Sequence, residues 1–342
     1  MPGNVVLDQE EIRSILSLYH LDDLEDFGGN HETSFHTSYW VQAGGRRYDL
    51  RITERKTLDD MVYERDLLQQ LARAGLPVPV LVRNVARGTF TPWERRGRYI
   101  SLFEHMPGRA LGVFEIRARH ARAVGRQLGE VHRAASGLRR RRANPVGLGH
   151  LRDRLDRLEN ALERRRLARR FAPAIALMAE DLARQEARLL RSALPVGAIH
   201  GGLTVARARF RGDALVGLVH FEGACRDRQV LDLAAAISAW CWEPSPKQQG
   251  GPAGRFRLTK VRALLDGYQR ARALTAGERV ALPEELRFVA LRSAIDWLFS
   301  HELSRAARTR GRPYQDYRHH TARLELLADG RAEAMIERAL GG

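Results

Sequence analysis

"GAIHGGLTVARARFRGDALVGLVHFEGA", residues 197–224, is the stretch on which the fold turns. A short apolar approach, Ala198 and Ile199, runs into His200. A loop of small and basic residues follows, and an apolar return runs from Leu215 to Phe221. A loop held between two apolar runs is where a chain commonly carries its chemistry. Its polar residues include His200, Thr204, Arg207, Arg209, Arg211, Asp213, His220 and Glu222.

The chain on the N-terminal side reads mainly as strands. Residues 8–19 form a first helix, with Ile12, Ile15, Leu16 and Tyr19 on one face. "HETSFHTSYWVQAGGRRYDLRITER" reads as a hairpin, extended over 35–41 and 48–53 around a Gly44-Gly45 turn. Residues 59–74 form a helix closed by Gly75, followed by the extended "LPVPVLV". Two further strands fit 88–93 and 99–105. The first hundred residues thus predict a small, mostly antiparallel sheet with one helix laid on it. After "MPGRAL" the pattern becomes helical, over 114–135, 149–170 and 172–192. Beyond the quoted stretch, helices resume at 231–242, 259–271, 283–305 and 314–328, and Thr275 and Glu278 have capping-box spacing. The expected class is α+β and bilobal, with a β-rich subdomain over 1–104 and a mainly helical lobe over 105–342.

Bulk properties narrow the setting. At 342 residues there is ample chain for one large domain or two smaller ones. The N-terminus "MPGNVVLDQEEIRS" lacks the basic-then-apolar signature of a signal peptide. The longest apolar run, 233–242, is too short to span a bilayer. Cys225 and Cys241 are too far apart for a C-x-x-C motif, and two lone thiols point to a reducing compartment. The expected location is cytoplasmic, with no membrane partner.

The net charge is +16, and the basic residues are arginine except for Lys56, Lys247 and Lys260. Half of the excess lies within 139–170, where twelve arginines face four acids. Such a run can dock nucleic acid. The plainer reading is a solvated helix face, since Leu151, Leu155, Leu158 and Leu162 make one apolar stripe with arginines and acids around it.

The run "LPVGAIHGGL…RFRGDALVGLVHFEGACRDRQVLDLAAAISAWCWE" resembles the homoserine kinase branch of the aminoglycoside phosphotransferase and choline kinase superfamily. That branch carries an I-H-x-D-L-x-x-D-N loop, an I-D-F turn and a D-L-A helix ending in W-C. "ARAGLPVPVLV", "GRQLGEVHRA" and "LTKVRALLDGYQRARALTAGE" extend the likeness over nearly the whole chain. It implies a protein-kinase-like fold. It also implies that His200 braces the catalytic loop and that Asp232 anchors the loop's backbone. The chemical positions depart from the pattern: Gly202 stands for the base aspartate, Arg207 for the metal-binding asparagine and His220 for the second, metal-binding aspartate. In the small lobe the resemblance puts the ATP-contacting basic residue at Arg51, its carboxylate partner at Glu64, and a phosphate-covering loop at Gly28 and Gly29.

The expectation is a kinase fold that has lost its chemistry and works by binding. The cleft gains a guanidinium and loses two carboxylates, so an anionic small molecule or nucleotide such as ATP suits it and magnesium does not. A protein partner is the other binding class. The alternatives are an active ATP-dependent kinase of a small alcohol such as homoserine, using unorthodox residues, and a basic nucleic-acid binder. Glu222 is a lone carboxylate beside His220, and His132 reads as a packed histidine.

Overall fold

The computed structural model describes residues 6–32, 36–53, 56–93, 98–164, 166, 168–189, 194–245, 254–303 and 317–341. Asp8 opens the first helix, α1 (Gln9–Ser17), through a capping box in which its carboxylate accepts the Glu11 N–H at 2.8 Å. A five-stranded antiparallel sheet follows: β1 (Leu24–Glu32), β2 (His36–Ala43), β3 (Arg46–Thr53), β4 (Thr91–Trp93) and β5 (Arg98–Glu104), in the order β1-β2-β3-β5-β4. Gly44 and Gly45 join β2 to β3 with φ of 56° and 69°, the left-handed pair that a two-residue hairpin turn demands.

Side chains alternate across this sheet, and the alternation separates structure from function. Tyr39, Val41, Leu50, Ile52, Ile100 and Leu102 are buried on one face against Ile12, Ile15, Leu16 and Tyr19. His36, Ser38, Trp40, Asp49, Arg51 and Phe103 point the other way, into the cleft between the lobes. The helix laid on the sheet's apolar face is therefore α1. The second helix, α2 (Leu58–Arg73), puts Tyr63, Leu67, Leu68 and Leu71 into the large core of the other lobe instead. The residue pattern located this helix but not the surface that receives it.

The large lobe contains α3 (Ala118–Ala134), α4 (Leu148–Arg164), α5 (Ala168–Leu189), β6 (Val196–Ile199), β7 (Ala208–Arg211), β8 (Ala214–Leu218), β9 (Cys225–Arg228), α6 (Gln229–Trp240), β10 (Trp242–Pro244) and β11 (Gly254–Phe256). It continues through α7 (Leu258–Ala271), α8 (Ala276–Leu303), α9 (Tyr317–Leu326) and α10 (Arg331–Leu340). The protein is thus a bilobal, protein-kinase-like α+β fold. Helices α3 and α7 meet at backbone distance: a Cβ on Gly125 would lie 2.1 Å from the Leu264 carbonyl, and one on Gly267 2.1 Å from the Arg122 carbonyl. The helix expected over 283–305 begins about two turns earlier. Thr275 and Glu278 cap it reciprocally, at 3.0 and 3.2 Å, and the helix runs on through Pro283. The amphipathic α10, which buries Ala332, Ile336 and Ala339, was not anticipated.

The stripe of α4 is buried, and Arg152, Arg154 and Arg157 pair with Glu186, Asp296 and Asp153. The crossover, the segment that leads from β5 to α3, is pinned to the β7–β8 hairpin where Arg109 and Phe210 exchange backbone hydrogen bonds of 2.9 and 2.8 Å. Among the described residues no helix is long and apolar enough to cross a membrane.

Candidate functional site

The quoted stretch folds as two nested antiparallel ladders. β6 pairs with β9, and the β7–β8 hairpin lies between them in sequence. His200 leaves the end of β6. Its N–H and that of Gly201 donate to the Asp232 carboxylate on the first turn of α6, at 2.6 and 3.1 Å. Asp232 also accepts from His132 Nε2 at 3.2 Å, and His132 Nδ1 lies 2.8 Å from the Tyr268 hydroxyl. His200 Nε2 donates to the Val219 carbonyl at 3.0 Å, tying the loop to the segment just ahead of His220. Burial alone would raise the Asp232 carboxyl, but His132, His200 and the loop N–H groups hold it below its usual range. Burial, reinforced by Arg207, pulls His200 down to about 4, so it is a neutral donor at pH 7.

The loop itself is glycine-shaped. Gly201 has φ of 80°, and a Cβ there would meet the Gly223 carbonyl at 2.0 Å. Gly202 has φ of 143°, a backbone state that residues with side chains rarely adopt. It offers no carboxylate, and its backbone is one an aspartate would not comfortably share.

Beyond the loop lies a dense ionic cluster. Arg207 turns inward: Nη2 lies 3.2 Å from Glu222 Oε1, and Nη1 donates to the His220 carbonyl at 3.1 Å. Glu222 is fully buried and also faces Arg51 at 3.8 Å, His220 at 3.8 Å and His36 at 4.0 Å. Burial would raise its carboxyl, yet Arg207, His36, His220 and Arg51 together hold it far below the carboxylate range. Glu64 on α2 accepts from Arg51 and Lys56, each at 2.7 Å, and these cations outweigh its burial to bring it down to about 2. Burial lowers His36 to about 3 and also depresses His220, which sits in the left-handed region at φ 66°. The two rings stack at 5.9 Å.

Between the sheet's cleft face, the crossover and the hairpin is a cavity of about 540 Å³. Leu50, Pro79, Phe103, Met106 and Phe221 supply apolar wall, and His36, Arg51, Arg209 and His220 supply cationic or imidazole groups. That volume suits a nucleotide-sized ligand. Gly28 and Gly29 lie within β1, beside an irregularity in its pairing with β2, and not in a loop. A Cβ on Gly28 would sit 2.9 Å from the Trp40 ring, so this glycine makes room for an aromatic.

The model of the phosphotransferase enzyme family, APH, matches residues 30–274. The chain belongs to that family. It is 31% identical to the homoserine kinase of Xanthobacter autotrophicus, over 84% of this chain and 86% of that protein. A homoserine kinase from Methylobacterium sp. strain 4-46 is 32% identical over the same shares. Among solved structures, amicoumacin kinase hAmiN in complex with AMP-PNP, Ca2+ and Ami superposes with a TM-score of 0.68 at 15% identity, covering 96% of this chain and 94% of that one. Spectinomycin phosphotransferase in complex with ADP and spectinomycin gives 0.63 at 10% identity, covering 98% of both.

Set on the phosphotransferase pattern, the structure brings Arg51, Glu64 and His220 to one cleft, joins Arg207 to them through Glu222, and places Gly202 beside Arg207, with His200 tied to Asp232. Magnesium takes oxygen ligands in near-octahedral geometry. The positions that the resemblance assigns to metal, Arg207 and His220, offer a guanidinium and an imidazole, and one oxygen of the nearby Glu222 is held by Arg207. The residues do not fit magnesium. Sequence reasoning missed His36 and Lys56. His36 is one of several polar residues in "NHETSFHTSY", and only strand pairing shows which of them faces the cleft.

Proposed function

We propose that this phosphotransferase-family protein binds an anionic ligand of the nucleotide class in its interlobe cleft without magnesium, and does not transfer a phosphoryl group. The observation that carries this reading is the state of the base position: Gly202 bears no carboxylate and holds φ of 143°. A positioned general base contributes about 10²- to 10⁴-fold to such reactions. The carboxylates support the same reading: Arg51 and Lys56 take up Glu64, and Arg207 holds one oxygen of Glu222. Arg51, Lys56 and Arg207 exceed the two carboxylates by one charge, which favours an anion. Apolar walls beside the crossover offer a surface for a planar ring.

The test is titration calorimetry with ATP, ADP and pyrophosphate in EDTA, beside an assay for ADP release. Binding in EDTA that weakens in Arg207→Ala, with no ADP above a heat-killed control, is the expected result. Binding that appears only with magnesium overturns it. A second reading is favoured by roughly 30% identity to homoserine kinases over most of the chain: an active kinase of a small alcohol with unorthodox residues. ADP released from ATP and magnesium only when homoserine is present would establish that reading instead.

A further inference from the structure

We propose that His36, His220 and Glu222 form a binding site for a divalent transition-metal ion of the zinc or cobalt class, joining the two lobes across the cleft. His36 comes from β2 of the small lobe, and His220 and Glu222 come from the large lobe just ahead of β9. Their donor atoms all lie within 4.8 Å of one another. Both imidazole Nδ1 atoms lie within 4.0 Å of the carboxylate. Donors sharing one tetrahedral zinc ion sit about 3.4 Å apart, from bonds of roughly 2.0–2.2 Å. Binding therefore requires the set to contract to that spacing.

Three features converge on the site. Glu222 is 1% exposed, and its Oε2 has no hydrogen-bond partner, while Oε1 is held by Arg207 at 3.2 Å. One oxygen is therefore oriented by a neighbour and the other is left to coordinate, the arrangement that steadies a ligating carboxylate. His220 is a non-glycine residue in the left-handed region, backbone strain of the kind that collects at functional positions. His36 and His220 line the cavity, so a fourth coordination position faces open space that water or a phosphate oxygen can enter. Two imidazoles and one carboxylate suit zinc, cobalt or nickel and are a poor set for magnesium. The site thus keeps a cation position in the cleft but changes its chemical class. Arg51, 3.8 Å from Oε2, is itself held by Glu64 at 2.7 Å; its charge lowers the affinity below that of an isolated set with the same donors.

The test uses the full metal-stripped chain without nucleotide, so its failure leaves the nucleotide reading standing. Titration with Co2+ is followed by visible ligand-field absorption and by melting temperature. The expected result is one Co2+ per chain, displaced by Zn2+ but not by Mg2+, with a raised melting temperature. His36→Ala and His220→Ala each weaken binding by at least about tenfold with an unchanged circular dichroism spectrum. His20→Ala, an exposed histidine outside the cleft, changes nothing. Glu222 is too deeply embedded for its own variant to separate lost coordination from lost folding, so the two histidine variants are the decisive ones. Equal Co2+ affinity in wild type and both variants, or no absorption band, overturns the proposal.

Discussion

Glu64 lies between Arg51 and Lys56, each 2.7 Å away, on a helix whose apolar face belongs to the opposite lobe. Its folded pKa is depressed to about 2, so its contribution to stability is fully present above the ordinary carboxylate range. That contribution is lost as pH falls through that range toward 2. The shift corresponds to about 3 kcal/mol at neutral pH. Glu64→Gln should therefore destabilise the protein at pH 7 by a few kcal/mol and flatten its acid-stability profile between pH 5 and 3, measured by urea denaturation. Equal acid sensitivity in both proteins would refute this account. At the loop, Gly202→Asp should lower stability by about 1–2 kcal/mol, because its φ of 143° suits glycine alone, and should not produce ADP. Denaturation and an ADP assay check the two halves. Sequence offered Arg51 and Glu64 as partners; Lys56 joins them from the segment leading into α2, and nothing in the residue pattern signalled that.

Helix α3 carries two glycines, Gly125 and Gly129, on the face it turns to α7. Glycine costs a helix about 1 kcal/mol relative to alanine, so by propensity both positions are defects. Contact with the Leu264 carbonyl reverses that judgement. Gly125→Ala should destabilise the protein by about 2 kcal/mol or more, because one methyl group forces the two helices apart. Gly149→Ala in α4, where a Cβ meets nothing within 4 Å, should be neutral or stabilising by up to about 1 kcal/mol. Paired thermal melts of the two variants test the opposite signs. Helix starts show the same limit on local reading. Pro283 looked like a first helical residue, but the Thr275–Glu278 box opens α8 earlier, and the burial of Glu278 beside Arg272 anchors that start. Thr275→Ala should cost about 1 kcal/mol, measured by denaturant titration.

Over the whole molecule, a charge of +16 spreads across surfaces where many arginines already have carboxylate partners, on α4 among them. Duplex DNA should therefore bind weakly, without sequence preference, and dissociate steeply as salt rises. Replacing Arg152 and Arg157 by glutamine should change that little, as read by fluorescence anisotropy across a salt series. A complex that survives physiological salt and is lost in that variant would restore α4 as a docking helix. The hairpin at Gly44-Gly45, the stripe of α4 and the kinase-like resemblance were legible in the residues, because each depends on turn chemistry, local periodicity or motif spacing. Which helix covers the sheet, the backbone state of Gly202, the inward turn of Arg207 and the meeting of His36 with His220 and Glu222 were not. Those depend on contacts between residues up to 186 positions apart in sequence, and only the docking of one lobe on the other decides which polar side chains share a buried space.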